Sequence, residues 1–218
     1  MSRSQPVFSA LFSPPRHSAC QPAHAILEGA SESASSFEHI FQAGLDSSGD
    51  EDQDLLRAML LFSSAGLDSM VKQLARDALP IVIELNAGAR EQFRIFVERQ
   101  LRNDQDRFAL LSAAIVGDKE ELQHVLISDL TAKSLQSVEE LSRTAAYFDI
   151  ATIDLIPDPN ALRDVFIARN QIAHEMDVDS STAEQRHRDF AAMRSYTEEI
   201  FTVACRYLSL VDSRLPRL

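Results

Sequence analysis

The sequence predicts an all-α protein, a bundle of amphipathic helices preceded by a largely disordered N-terminal tail. Apolar residues recur at three- and four-residue steps through most of residues 51–218, which is the spacing of helices with one buried face. Two apolar runs, 81–83 and 150–156, look strand-like, but each is too short and too isolated to form a sheet. We therefore expect a helical bundle around one core.

The first 50 residues differ from the rest in composition. They are rich in Ser, Ala, Pro and Gly and show no sustained apolar period, so we expect residues 1–50 to form an acidic, mostly disordered tail. Residues 36–41 predict one or two helical turns, which the turn formers and like charges of 46–52 should end. The folded domain should cover residues 51–218, with the tail dispensable for folding.

Helical periodicity then dominates. Residues 55–79 form an apolar stripe that ends at Pro80, and residues 86–116 form another, with a break expected near Asn103. The last helix has an almost unbroken core stripe. Its members are Phe190, Met193, Thr197, Ile200, Ala204, Tyr207 and Val211.

Helix starts are marked by capping residues. Ser137 and Glu140 form a capping box that opens a helix through Phe148, and residues 181–184 form a second box. Asp158 can cap a further helix in which Pro159 takes the first position.

Composition sets bounds on function. The 218 residues are 45% apolar and 25% charged, and no apolar run approaches the ~20 residues that span a bilayer, so we expect a cytoplasmic protein without membrane contact. Cys20 and Cys205 lack the number and spacing of a disulfide framework or a metal site and are interpreted as free thiols.

The net charge of −12 argues against a broad basic surface for nucleic acid. Half of that charge lies in residues 1–54, which hold eight acids and two arginines. The cations are 18 Arg and three Lys, and Arg forms bidentate phosphate contacts, so a local phosphate site is compatible with the acidic total.

The most informative stretch runs from Arg169 to His174, in the helix that Asp158 should cap. On an ideal helix Arg169 lies within the apolar face, whereas Asn170 and His174 share one flank. Arg169 and His174 are about 140° apart around the axis. They converge only if the Arg side chain wraps round, if the helix ends near Ala173, or if a second copy contributes.

Two interpretations of this stretch stay open. In the structural one, Arg169 pairs with a helix carboxylate and His174 caps the helix C-terminus. In the functional one, the set cleaves a phosphodiester without a metal. His174 moves a proton, Arg169 holds the developing phosphorane, and Asn170 fixes the geometry.

The pattern Arg-Asn-x-Ile-Ala-His, on the penultimate long helix of a small all-α domain, resembles the HEPN superfamily of prokaryotic ribonucleases. Arg169, Asn170 and His174 match the family's Arg, polar and His positions, and the resemblance covers roughly residues 55–212. It implies a HEPN-like bundle with no cofactor and no metal, which cleaves RNA at a homodimer interface. Such proteins often act as toxins or phage-defence effectors with an antitoxin or regulatory partner. Met176 replaces the Tyr that a nucleotidyltransferase can modify in one subgroup, which puts that regulation in doubt.

Two other classes of function remain as alternatives. The bundle can be a non-catalytic binding or regulatory module whose acidic tail occupies a basic surface on a partner protein, or a purely structural helical dimer. Elsewhere, an arginine-rich helix is interpreted as a solvated ion-pair face in which Glu98 lies near Arg94, and Asp68–Lys72 as an ordinary ion pair. The acids Glu175, Asp177 and Asp179 are interpreted as a loop of solvated carboxylates rather than a cation site.

Overall fold

The computed structural model describes residues 8, 13–44, 50–102, 111–112 and 115–216. A 3-10 turn (Ser18–Cys20) leads into the first helix, and two short strands lie before the last one. The helices are α1 (Gln21–Ala43), α2 (Asp50–Asp77), α3 (Leu79–Leu85), α4 (Ala87–Arg102), α5 (Lys119–Ala132), α6 (Val138–Tyr147), α7 (Thr152–Leu155), α8 (Pro159–Glu175) and α9 (Phe190–Arg214). The strands are β1 (Val178–Asp179) and β2 (Glu184–Gln185).

The all-α prediction is confirmed. The described strands form one antiparallel pair, in which Val178 faces Gln185, so the sheet is a minor addition to the bundle. The strand-like run 81–83 lies within α3, and the run 150–156 contains the four-residue helix α7. Pro80 in the first turn of α3 presets a helical φ, and a helix satisfies its own backbone hydrogen bonds where no partner strand exists.

The prediction of a disordered tail is wrong for residues 13–44. Helix α1 packs lengthwise on α2, and Ala23, Leu27 and Ala34 have no exposed surface. A Cβ added to Gly66 of α2 would lie 2.3 Å from the Cβ of Ala30, so the two helix backbones approach closely. The folded domain therefore includes α1, whose buried face mixes small and polar residues with Leu27 and Phe41 and so carries a weak hydrophobic signal.

Two polar contacts also fasten the N-terminal region to α9. The buried carboxylate of Glu38 accepts a hydrogen bond from Nε of Arg194 at 2.9 Å. Asp212 accepts the backbone amides of Arg16 and His17 at 3.2 and 2.9 Å. Removal of this region would therefore expose both apolar surface and unpaired charge.

Helix α2 lies at the centre and packs against α1, α8 and α9. Its buried side chains include Leu56, Met59, Leu60, Leu67, Met70, Val71 and Leu74. Helix α2 ends before Pro80 as predicted. The predicted core stripe of α9 is confirmed at six positions, whereas Phe190 at the start of the helix is partly buried. The six buried members are Met193, Thr197, Ile200, Ala204, Tyr207 and Val211.

Two of the three predicted helix caps are confirmed. The Oγ of Ser137 accepts the amide of Glu140 at 3.1 Å, and Asp158 caps α8. The predicted box at residues 181–184 is wrong, because the hydroxyl and amide of Ser181 both donate to Asp179 in the turn between the strands. Asp189 caps α9 instead.

Some expectations fall where the structure gives no description. Most of the turn predicted at 46–52 and the helix break near Asn103 lie outside the described residues. Within the described residues, no helix combines the length and apolarity needed to cross a bilayer.

Candidate functional site

Helix α8 presents the candidate residues at its C-terminal end. The Oδ1 of Asp158 accepts the amides of Asn160 and Ala161 at 3.0 and 3.1 Å, which fixes where the helix begins. The buried face of α8 consists of Leu162, Val165, Phe166, Ala168 and Ile172. The helix continues through Glu175, so its geometry is regular across the whole motif.

The three predicted side chains meet within one copy of the chain. Nη1 of Arg169 donates to Oδ1 of Asn170 at 3.0 Å and lies 3.3 Å from Nε2 of His174. Because the helix does not end near Ala173, the contact arises from the Arg side chain wrapping round the helix. Nε2 accepts this hydrogen bond in the neutral imidazole with the proton on Nδ1. Asn170 and His174 are exposed, so the set is open to solvent.

The guanidinium of Arg169 is half-buried and has no carboxylate partner within ion-pair distance among the described residues. Its Nε is buried and has no hydrogen-bond partner in the part of the chain that the structure describes. Burial lowers the pKa of Arg169 from its usual value, while the field of Asp68 acts in the opposite direction. Asp68 itself is engaged by Nζ of Lys72 at 2.8 Å and by the amide of Leu135 at 2.7 Å. The structural interpretation, which required an ion pair for Arg169, is therefore unsupported by the described contacts.

The helix C-terminus does not need His174 as a cap. The carbonyl of Gln171 accepts the amide of Met176, and the amide of Asp177 donates to the same oxygen at 2.9 Å. Met176 and Asp177 both adopt left-handed backbone angles, with φ of 52° and 59°. Among the described residues, the hydrogen-bond contact of His174 is with Arg169.

The interpretation of Glu175, Asp177 and Asp179 as solvated acids is wrong for Asp177, which has no exposed surface. Its carboxylate accepts Nε of Arg57 at 2.9 Å and is gripped on the other side by Nε and Nη2 of Arg188. Burial alone would raise the pKa of Asp177, but the hydrogen bonds from Arg188 and Arg57 outweigh it and hold the value below the usual range. Sequence patterns did not indicate this contact, because Arg57 lies 120 residues before Asp177.

Two secondary interpretations are confirmed. Asp68 and Lys72 form the expected ion pair, and Arg94 pairs with Glu91 and Glu98 on the exposed face of α4. The part of the chain that the structure describes contains no cluster of three or more His, Cys, Asp or Glu arranged to hold a metal ion.

A surface pocket of about 580 Å³ lies between residues 13–16 and α9. Its lining includes Arg206 and Cys205 but none of the three candidate residues. The candidate set therefore lies outside this pocket, with Asn170 and His174 exposed to solvent.

Comparisons with protein-family models, with curated proteins and with solved structures find no match to this chain. A functional assignment therefore rests on the geometry of the site.

Proposed function

We propose that the protein is a metal-independent endoribonuclease of HEPN type in which Arg169, Asn170 and His174 form the active site. The observation that carries the proposal is the contact of one guanidinium nitrogen with both the Asn170 amide and the His174 imidazole on an exposed surface. A proton-transfer group beside a fixed cation and an orienting amide is what phosphodiester cleavage requires.

The resting contact suggests the order of events. With Nε2 of His174 facing Arg169, the imidazole lone pair is occupied until a phosphate arrives. The phosphate draws the Arg169 guanidinium onto its anionic oxygens, because an ion pair with phosphate is stronger than a hydrogen bond to neutral imidazole. Nε2 is then free to accept the proton of the ribose 2′-hydroxyl.

The 2′-oxygen then forms a bond to phosphorus as the bond to the 5′-oxygen breaks. The products are a 2′,3′-cyclic phosphate and a 5′-hydroxyl, and the departing oxygen takes up a proton. His174 serves as base on the 2′-hydroxyl or as acid on the leaving oxygen, and Arg169 stabilises the phosphorane between these steps. A homodimer that joins two motif helices would place a second His174 within reach for the other proton transfer.

The corresponding biological role is that of a toxin or phage-defence effector held in check by an antitoxin or regulatory protein. The half-buried guanidinium of Arg169 supports a site that a second molecule completes, because it has no carboxylate partner among the described residues. Sedimentation should show a dimer at tens of micromolar. A monomer would contradict the shared-site arrangement.

The decisive experiment is cleavage of a short RNA by the purified protein. His174→Ala should reduce the rate by a factor of about 10² to 10⁴. His124→Ala is the matched control, because His124 is an exposed helical histidine outside the site. Arg169→Ala should also remove activity with the fold intact. Arg163→Ala is its control, because Arg163 is an exposed arginine on the same helix that pairs with Glu139 of α6, and this variant should keep its activity.

Chemical controls separate this mechanism from other nucleases. Cleavage should survive EDTA, stop with a single 2′-deoxy substitution at the scissile nucleotide, and vary between about pH 5 and 8, where imidazole changes charge and guanidinium does not. A requirement for added magnesium would refute the mechanism. Absence of cleavage, with RNA or protein binding unchanged by His174→Ala, would favour the non-catalytic binding module.

A further inference from the structure

The turn after His174 is held in an unfavourable backbone conformation. Met176 and Asp177 are consecutive non-glycine residues with positive φ, a region that L side chains rarely adopt. Such a conformation persists only where the surrounding contacts determine it, and it is concentrated at functional sites. The contacts of Asp177 supply that determination.

Asp177 joins three parts of the chain through its side chain and its amide. We call this set of contacting residues the Asp177 clasp; its members are Arg57, Gln171, Asp177 and Arg188. Arg57 comes from α2 and reaches one carboxylate oxygen at 2.9 Å. Arg188 comes from the segment before α9 and grips both oxygens. The negative charge of Asp177 therefore sits between two guanidinium groups that belong to separate elements of the bundle.

The clasp also holds the last turn of α8, which contains His174. Nη2 of Arg188 donates to Oε1 of Gln171 at 2.9 Å, while the amide of Asp177 donates to the Gln171 carbonyl. Gln171 and His174 are three residues apart and lie one helical turn from each other. Gln171 is therefore held by both its side chain and its carbonyl, which anchors the last turn of α8, the turn from which His174 extends.

We propose that Asp177 is a positioning residue for His174. The catalytic significance of this positioning role rests on the proposed function. Asp177 ties the C-terminal turn of α8 to α2 and to the segment before α9, and this keeps Nε2 of His174 within reach of Arg169. Without the Asp177 carboxylate, the buried Arg57 guanidinium retains Asp54, but the partly buried Arg188 guanidinium faces it with no charge between them, and the turn relaxes from its left-handed conformation.

Asp177→Asn is the appropriate change, because it keeps the size of the side chain and removes its charge. The matched control is Glu38→Gln, which neutralises another buried carboxylate held by an arginine, at the α1–α9 contact. If Asp177→Asn does not fold, the double variant Asp177→Asn, Arg188→Gln removes the stranded charge and is measured in its place. Each folded variant is studied below its melting temperature.

The first measurement is the pair of imidazole ¹⁵N resonances of His174, which report its tautomer and its hydrogen bond to Arg169 without any substrate. We expect wild type and Glu38→Gln to show the tautomer protonated on Nδ1, and Asp177→Asn to shift toward the mixture of a free imidazole. Unchanged His174 resonances in a folded Asp177→Asn protein, even one with a lower melting temperature, would overturn the proposal.

The second measurement is RNA cleavage. Asp177→Asn should lower kcat by a factor between ten and about 100 while KM changes less than about twofold, because displacement of a catalytic group by about 1 Å has an effect of this size. Equal kcat for Asp177→Asn and Glu38→Gln would overturn the positioning role. If wild type proves inactive on RNA while the His174 resonances still respond to Asp177→Asn, the positioning role stands and the proposed nuclease activity fails.

Discussion

Leu27→Ala tests the docking of the N-terminal helix most sharply. Leu27 has no exposed surface in α1, and the substitution deletes three buried carbons. At about 0.8 kcal/mol for each, the lost transfer free energy is about 2.4 kcal/mol, and a cavity that does not collapse raises the cost towards 4 kcal/mol. For a chain of this size, that corresponds to a fall in melting temperature of roughly 5–15 °C.

The control is Ile40→Ala on the same helix. Ile40 is 53% exposed, so about half of the transfer free energy applies, no cavity forms, and the better helix propensity of Ala offsets part of the loss. We expect a cost below about 1 kcal/mol. Urea unfolding of both variants measures the difference, which is meaningful if the m-value is unchanged.

Equal and small effects of Leu27→Ala and Ile40→Ala would refute the reasoning. That result would mean that α1 contributes nothing to the cooperative core, in line with the disorder expected from its composition. A large effect of Leu27→Ala alone would establish that removal of the first 44 residues destabilises the whole bundle.

Three further outcomes are expected from the buried contacts. Gly66→Ala should destabilise the protein by about 1–3 kcal/mol by overpacking, and addition of Ala30→Gly should recover part of this, as thermal melts would show. Burial would raise the pKa of Asp212, but backbone amides of the N-terminal segment donate to its carboxylate and hold the pKa below its usual range. The stabilisation by Asp212 is therefore present above about pH 4 and is lost as the pH falls through the pKa of the folded protein. The difference in melting temperature between wild type and Asp212→Asn should accordingly disappear in acid. Burial raises the pKa of Cys20 and of Cys205 to about 12, so alkylation at pH 8 should be slow in the native protein and fast in urea, and rapid native labelling of Cys20 would contradict its burial.

The sequence predicted the fold best where local rules decide the structure. Ser137 and Asp158 cap helices because their side chains satisfy amides two or three residues away, an interaction that any sequence window contains. Helix α1 was missed for the opposite reason. Residues such as Ala23 and Ala34 become core only through close contact with α2, which composition does not reveal.

The candidate site, too, could be predicted only where local spacing decides the structure. The spacing of Arg169, Asn170 and His174 placed two of them on one flank, but their convergence depends on which way a long Arg side chain wraps. The burial of Asp177 depends on Arg57, which no local pattern links to it. Distant charge pairs of this kind become visible only when the chain is folded.

The separation between Arg57 and Asp177 has a consequence for biosynthesis. A ribosome adding about 5–20 residues per second needs roughly 6–24 s to make the 120 residues between them. During that time α2 can form, but Arg57 lacks both Asp177 and Arg188, because both are added later. A nascent chain therefore cannot assemble the Asp177 clasp, or fix the turn that follows His174, until Arg188 has been added and nearly all of the described bundle has been translated.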